Sequence, residues 1–266
     1  WGTPTVKFHQ CRAAVSGLMA ALLAQQKFVA TREFLTADDG GLYKTYTNGG
    51  RPEAVTADLG RRWELEQIAL RPWPSASTIQ GLITAMFDLV EKNAIDPAQV
   101  RKLRISVGKT AFDMHGIFPR YQGKFEALLS IHYAAAVILH DRQLTLAQFE
   151  PARYNDPELR RFSAEQVEVV CDPALTGVQA VVEAEMGAGA KYAARCDHPR
   201  GSPENRLTRA QVIEKFRTYA GPRLPASRVD NVIDAVSRLE TLGSARTLME
   251  LLGSVDAAPL RQSAAA

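Results

Sequence analysis

The apolar residues of this chain change their period twice. Up to about Gln67 they recur with helical spacing, from there to about Glu204 strand-like alternation enters, and beyond Glu204 the helical spacing returns. A chain patterned in this way cannot form one uniform layer. It predicts an α+β protein with helical segments over 1–66 and 204–266 and an α+β domain over 67–203. The two helical segments are expected to pack together as one split helical domain, with the α+β part inserted as a lid.

The first helix is expected from Val6 to Phe28, "VKFHQCRAAVSGLMAALLAQQKF". Val15, Leu18, Met19 and Leu22 fall at i, i+3, i+4 and i+7 and make an apolar stripe. The other faces carry Ala13, Ala14, Ser16, Gly17, Ala20, Ala21 and Ala24, small residues that let several helices approach closely. The sequence that follows offers few neighbours, so a partner polypeptide or a tight oligomer is expected to cover this helix. Its head holds Lys7, His9, Cys11 and Arg12. Either that head lines a site, or the chain starts inside a larger body. Trp1 in place of an initiating Met points to a processed, trimmed or partial chain.

Residues 36–60 are rich in Gly, Asp, Thr and Asn and read as a loop with short pieces of order. "ELEQIALRPWP" alternates as a strand does and is stopped by two prolines. "STIQGLITAMFDLVEKN" predicts a helix with Ile79, Leu82, Ile83 and Met86 on one face. Asp96 and Asp156 each precede a proline, and each pair predicts a capped turn or helix leading into a strand. A long helix is expected from about Lys124 to His140, and a hairpin turning at Gly187–Gly189. Thr208 and Gln211 form a capping-box pattern. Ser227 and Asp230 suggest a further helix start, with Gly243 as its stop.

Composition narrows the function. The net charge is +3 with no basic block, which argues against nucleic-acid binding. The three cysteines, Cys11, Cys171 and Cys196, are widely spaced and form no CxxC pair. That excludes a disulfide framework, argues against a zinc site and points to a reducing, cytoplasmic setting. The apolar run from Leu18 to Ala24 is far short of a membrane span, and no basic region precedes it as in a signal peptide.

Five stretches in order, "KFHQCRAA..GLMAALLA", "LRPWPSAST", "KFEALLSIHYAAAVILHDRQLTLAQFE", "DPELRR" and "HPRGSPENRLTRAQVIEKF", resemble the MmgE/PrpD family. That family includes 2-methylcitrate dehydratase, cis-aconitate decarboxylase and iminodisuccinate epimerase. The resemblance runs from about residue 2 to residue 253, and family members are about twice as long. It implies part of a helical domain, a whole α+β lid and the closing helices. It also implies that the family's acid/base His and an Asp-rich motif belong to an N-terminal half that is not in this sequence.

The chemistry so implied is cofactor-independent: a proton is removed or added beside a carboxylate, followed by loss of water or carbon dioxide, or by re-protonation. Cations must hold the carboxylates and spread the developing charge. The resemblance makes Lys7 and His9 the catalytic candidates, although the family's Lys stands one residue earlier, where this chain has Val6. Arg71 stands where the family has an active-site Lys. Ser75, Ser77 and Thr78 follow it on a proline-rich turn at a helix start, where backbone N–H groups can bind an anion; with Arg71 they form the expected substrate-binding set. The family often has His or Cys in this stretch, and here Ala76 and Gln80 stand instead. Arg12 is assigned to a salt bridge, His132 and Tyr133 to a buried, hydrogen-bonded pair, and His198 to closing the lid against the helices.

Two functions from different classes follow. One is a lyase or isomerase of small di- or tricarboxylates, completed by a second chain or by further copies of this one. The other is a non-catalytic carboxylate-binding or structural subunit of the same family; a plain α+β interaction module is a third and weaker reading.

Overall fold

The computed structural model describes residues 5–117 and 121–253. The chain divides into two units, one up to Ile68 and one from Ala69 onward.

In the first unit lie α1 (Thr5–Gln25), α2 (Leu42–Tyr46) and α3 (Pro52–Thr56). Alanine and leucine carry α1 through its length, and it ends where Lys27 takes a left-handed φ of 62°. The expected stripe is not buried: Val15, Leu18, Met19 and Leu22 are all exposed, Leu18 at 65%. Phe8 and Leu23 are exposed as well, so apolar surface lies on several sides of the helix.

The second unit runs through α4 (Gln80–Lys92), β1 (Val100–Val107), α5 (Lys109–His115), α6 (Lys124–Leu129), α7 (Ile131–Asp141), α8 (Pro151–Tyr154) and α9 (Pro157–Glu165). It continues with β2 (Val167–Cys171), β3 (Ala180–Met186), β4 (Lys191–Cys196), α10 (Arg209–Ala220), α11 (Ala226–Ser237) and α12 (Ala245–Leu252). The strands form one mixed sheet in the order β2-β1-β3-β4. β1 and β2 are parallel, with Ile105 opposite Val169, while β1/β3 and β3/β4 are antiparallel. A parallel pair needs a long crossover, and α5 to α9 supply it.

The alternation of β1 explains the layering. Leu103, Ile105 and Val107 point into the core, and Arg104 points out. On the inner face α4 packs on β3, β4 and α7, and α7 packs on β2 and α9. Leu82, Met86, Leu89, Ile138 and Val182 join the β1 residues in one buried cluster. Each fully buried aliphatic side chain there contributes about 1.5–3 kcal/mol. The outer face is charged: Lys102 Nζ lies 3.0 Å and Arg104 Nε 3.7 Å from Glu168 Oε2, and Arg104 is in register with Glu183.

Local capping follows the sequence closely. Asp96 accepts from the Ala98 N–H, and Asp156 accepts from Glu158 and Leu159. Thr208 and Gln211 form the reciprocal capping box.

Four expectations are corrected. "ELEQIALRPWP" is no strand: Glu64–Gln67 is a 3₁₀ turn, and residues 61–70 are all exposed. The expected long helix breaks at Ser130, whose ψ of 121° is extended and whose hydroxyl caps α7 by accepting from the Tyr133 N–H. The helix expected to start near Ser227 is capped by Pro225, one residue before Ala226. It stops at Ser237, not at Gly243, and Ser244 then caps α12.

The loop after β2 presses its backbone onto the first turn of α4. A Cβ added to Gly81 would lie 1.7 Å from the Val178 carbonyl oxygen. Gly81→Ala is therefore expected to destabilise the fold by roughly 1–3 kcal/mol, the usual cost of overpacking. Denaturant midpoints of the parent and the variant measure this, and equal midpoints would contradict the contact.

Candidate functional site

The stretch from Arg71 to Gln80 is a proline-rich turn followed by the start of α4. Arg71 Nη1 donates to the Ser75 carbonyl oxygen at 2.9 Å, which ties the guanidinium to the turn it precedes. Ser75 is buried, and its hydroxyl donates to the Leu128 carbonyl at 2.7 Å. The Thr78 hydroxyl lies 2.6 Å from Nε2 of His115, which is fully buried at the end of α5. Burial pushes the His115 pKa below its ordinary value, so the imidazole is held neutral.

These bonds separate the four expected binding residues. Arg71 and Ser77 line one cavity of about 450 Å³. Ser75 and Thr78 do not line it; their hydroxyls tie the turn to α6 and α5. Neither Ala76 nor Ile79, the residues ahead of the 3₁₀ turn at Ser77–Ile79 and of α4, supplies a capping side chain, and neither first turn contains an acid. The turn instead satisfies backbone with backbone: the Ile79 N–H donates to the Ala76 carbonyl and the Gln80 N–H to the Ser77 carbonyl.

The other walls come from residues 176–179 and 197–204. Arg200 clamps the second of these onto α4. Its guanidinium bonds Asp88 at 2.6 Å and Glu91 at 2.8 Å and lies 5.9 Å from the Trp73 ring centroid. Its backbone N–H donates to Thr84 Oγ1 at 3.1 Å. Gly201 has a φ of +89°, and a Cβ there would lie 1.9 Å from the Leu70 carbonyl oxygen. The Leu70 N–H returns a bond to the Gly201 carbonyl at 2.8 Å.

Two carboxylates reach the cavity. Asp197 accepts from Arg195 and from Gln179, and its hydrogen bond with Arg195 holds its pKa below the usual range. Glu204 is also lowered, first by its own backbone N–H and then by Ser202. His198 lines the cavity, is exposed, and keeps Nδ1 3.7 Å from Glu204 Oε2.

Lys215 on α10 was not among the expected site residues. It is half-buried, burial and then the positive charge of Arg71 lower its pKa, and it does not itself line the cavity. Its one sequence signal is its place in "TRAQVIEKF", far from Arg71 along the chain.

Lys7 and His9 are exposed on α1, in the first unit. Arg12 makes no ion pair among the described residues, contrary to the salt bridge expected of it. Cys11 and Cys171 are exposed free thiols, and burial pushes the Cys196 thiol up to about 11. The expected His132–Tyr133 pair is buried but only half satisfied. The Tyr133 hydroxyl donates to the Gln148 carbonyl, whereas His132 Nδ1 has no partner among the described residues. Among those residues no cluster of His, Cys, Asp or Glu is placed to hold a metal ion, and no helix is long and apolar enough to cross a membrane.

A mixed helix-and-sheet unit with a cation and a helix start at one cavity is the frame for comparison with known proteins. The MmgE/PrpD C-terminal domain matches residues 73–241, and the chain belongs to the MmgE/PrpD family. It is similar to cis-aconitate decarboxylase of Aspergillus terreus, 25% identical over 93% of this chain and 54% of that protein. It is similar to the human cis-aconitate decarboxylase at 25% identity, over 94% of this chain and 53% of the relative. The mouse protein of that name is 23% identical, over 94% and 52%. The chain spans about half the length of the curated relatives it matches.

One pH dependence follows from His132. Burial draws its pKa from 6.5 down to about 4 in the folded chain. Between those values the unfolded state binds the extra proton, so this contribution to stability is complete above about pH 6.5 and is lost as pH falls toward 4. The slope in that window is about 1.4 kcal/mol per pH unit. His132→Leu is expected to flatten the acid side of a stability–pH profile from urea melts, and an unchanged slope would refute the assignment.

Proposed function

We propose that the chain is the C-terminal portion of a lyase or isomerase acting on small di- or tricarboxylates, by abstraction of a proton next to a carboxylate. The observation that carries this reading is the cavity where Arg71, Ser77 and the start of α4 converge. Arg71 presents a planar fork that suits a carboxylate, and Lys215 adds a second positive charge nearby. Family membership and the relatives named cis-aconitate decarboxylase give the same substrate class.

In this reading Arg71 and Ser77 hold the substrate, and Ser75 and Thr78 position the turn that carries them. Lys7 and His9 are this chain's candidates for handling the proton. Asp197 and Glu204 are poor bases, because their hydrogen bonds stabilise the ionised form. That observation favours the second reading, a carboxylate-binding subunit without catalysis of its own. Dehydration and epimerisation begin with removal of a proton beside a carboxylate, whereas decarboxylation adds a proton to carbon as carbon dioxide leaves, so each exchanges a carbon-bound hydrogen with solvent. Incorporation of solvent deuterium at the carbon beside a carboxylate of citrate, followed by NMR, therefore separates an enzyme from a mere binder.

The proposal extends to assembly. The split helical domain, with 67–203 as its lid, would be completed by a partner chain, by the rest of a longer polypeptide, or by further copies of this chain. The exposed apolar residues of α1 support that reading, and the free cysteines support a cytoplasmic setting. The chain purified alone is expected to self-associate or to bind a hydrophobic dye, as read by light scattering and dye fluorescence. A monodisperse monomer that binds no dye would count against it.

For the site, Arg71→Ala is expected to weaken carboxylate binding by about 1.5–3 kcal/mol, the scale of a hydrogen bond to a charged group. Lys7→Ala is expected to do less. Calorimetric titration of citrate into the purified protein measures both, and unchanged affinity in Arg71→Ala would overturn the assignment.

A further inference from the structure

Gln80 is the first residue of α4, is 3% exposed, and lines the same cavity as Arg71 and Ser77. Its amide nitrogen faces two carbonyl oxygens, Trp73 O at 3.4 Å and Ala76 O at 3.3 Å. Those two acceptors fix the orientation of the amide, because the flipped form would set oxygen against oxygen. Gln80 Oε1 therefore stays an acceptor, and it has no hydrogen-bond partner among the described residues. A buried acceptor left without a donor is costly and calls for one.

We propose that Gln80 is a specificity-determining residue whose Oε1 accepts a hydrogen bond from a hydroxyl group of a carboxylate ligand held by Arg71. The inference rests on the carboxylate reading of this cavity and goes beyond it by naming a second required group. Arg71 offers donors and positive charge, which suit carboxylate oxygens. Gln80 Oε1 offers the opposite, and an ionised carboxylate has no hydrogen to give it. A ligand that satisfies both needs a hydroxyl within reach of its carboxylates, that is, a hydroxycarboxylate. cis-Aconitate, the compound in the relatives' names, is a fully ionised tricarboxylate near neutral pH and carries no hydroxyl. The oxygen is closed to bulk water, so the contact forms only when an entering ligand opens the cavity wall beside the fixed amide.

The test uses two probes with the same three carboxylates. Citrate has a hydroxyl, and tricarballylate has hydrogen in its place. Each is titrated calorimetrically into the purified protein, into Gln80→Met and into Arg71→Ala, with thermal melts to check folding. The expected result is that citrate binds about tenfold or more tightly than tricarballylate. That preference should disappear in Gln80→Met, with tricarballylate affinity little changed, whereas Arg71→Ala should weaken both probes. Equal affinity of the unaltered protein for the two probes would overturn the role of Gln80 and leave the carboxylate site standing, as would a preference that survives in Gln80→Met. Binding of neither probe would overturn the carboxylate reading and this inference together. Should Met not be tolerated, Gln80→Asn, which withdraws the acceptor by one methylene, takes its place with the same expectation.

Discussion

The cavity depends on two places where backbone meets backbone with no side chain between. Val178 O rests on Gly81 and Leu70 O rests on Gly201, each at a distance that any Cβ would violate. The first contact brings the loop between β2 and β3 onto the start of α4. The second brings the residues after β4 onto the residues ahead of the proline-rich turn. Remove either approach and the walls separate, because the remaining clamp, Arg200 on Asp88 and Glu91, is half-exposed and partly screened. The cavity lined by Arg71, Ser77 and Gln80 is thus held by steric permission first and by charge second.

The same region shows how a core and a site share one helix. The flanks of α4 carry Leu82, Met86 and Leu89 into the buried cluster, while its first residue, Gln80, and Ser77 of the 3₁₀ turn ahead of it line the cavity. The burial that stabilises the sheet therefore also fixes where the N–H end of the helix points. A loosened α4 would blur the geometry around Arg71 before it unfolded the unit.

What the sequence made legible was local. Asp96, Asp156 and Thr208 announced their caps because a cap is written within four residues. β1 and β2 were legible as strands following their capped Asp-Pro turns, and β3 and β4 as a hairpin from its glycines. The break at Ser130 was not, because 124–140 reads as continuous helix and the interruption is stabilised by a partner far away, the Ser75 hydroxyl on Leu128 O. "ELEQIALRPWP" alternates like a strand, but alternation cannot say whether a sheet edge stands beside it. In the site, Arg71 and Ser77 were visible as types of residue on a helix-start turn. Ser75 and Thr78 looked the same in sequence, and only their partners, Leu128 and His115, separate anchoring from lining. Gln80 was visible as a departure from the family pattern, but its bare acceptor depends on the carbonyls of Trp73 and Ala76, which the sequence does not place. Lys215 was hidden by its distance along the chain.

The break at Ser130 carries a consequence for protein engineering. Helix-propensity scales would single out position 130 as an easy gain, since serine is a mediocre helix former in the middle of an otherwise good run. A stability screen that rewarded helical content would select Ala or Glu there and fuse α6 with α7. The fused helix would draw the Leu128 carbonyl toward an intrahelical partner, in competition with Ser75. The turn bearing Arg71 would then lose its tether, and α7 would lose the cap that Ser130 supplies. At this position helix propensity pulls against the cap and the tether, and a choice made on propensity alone would loosen the turn that bears Arg71.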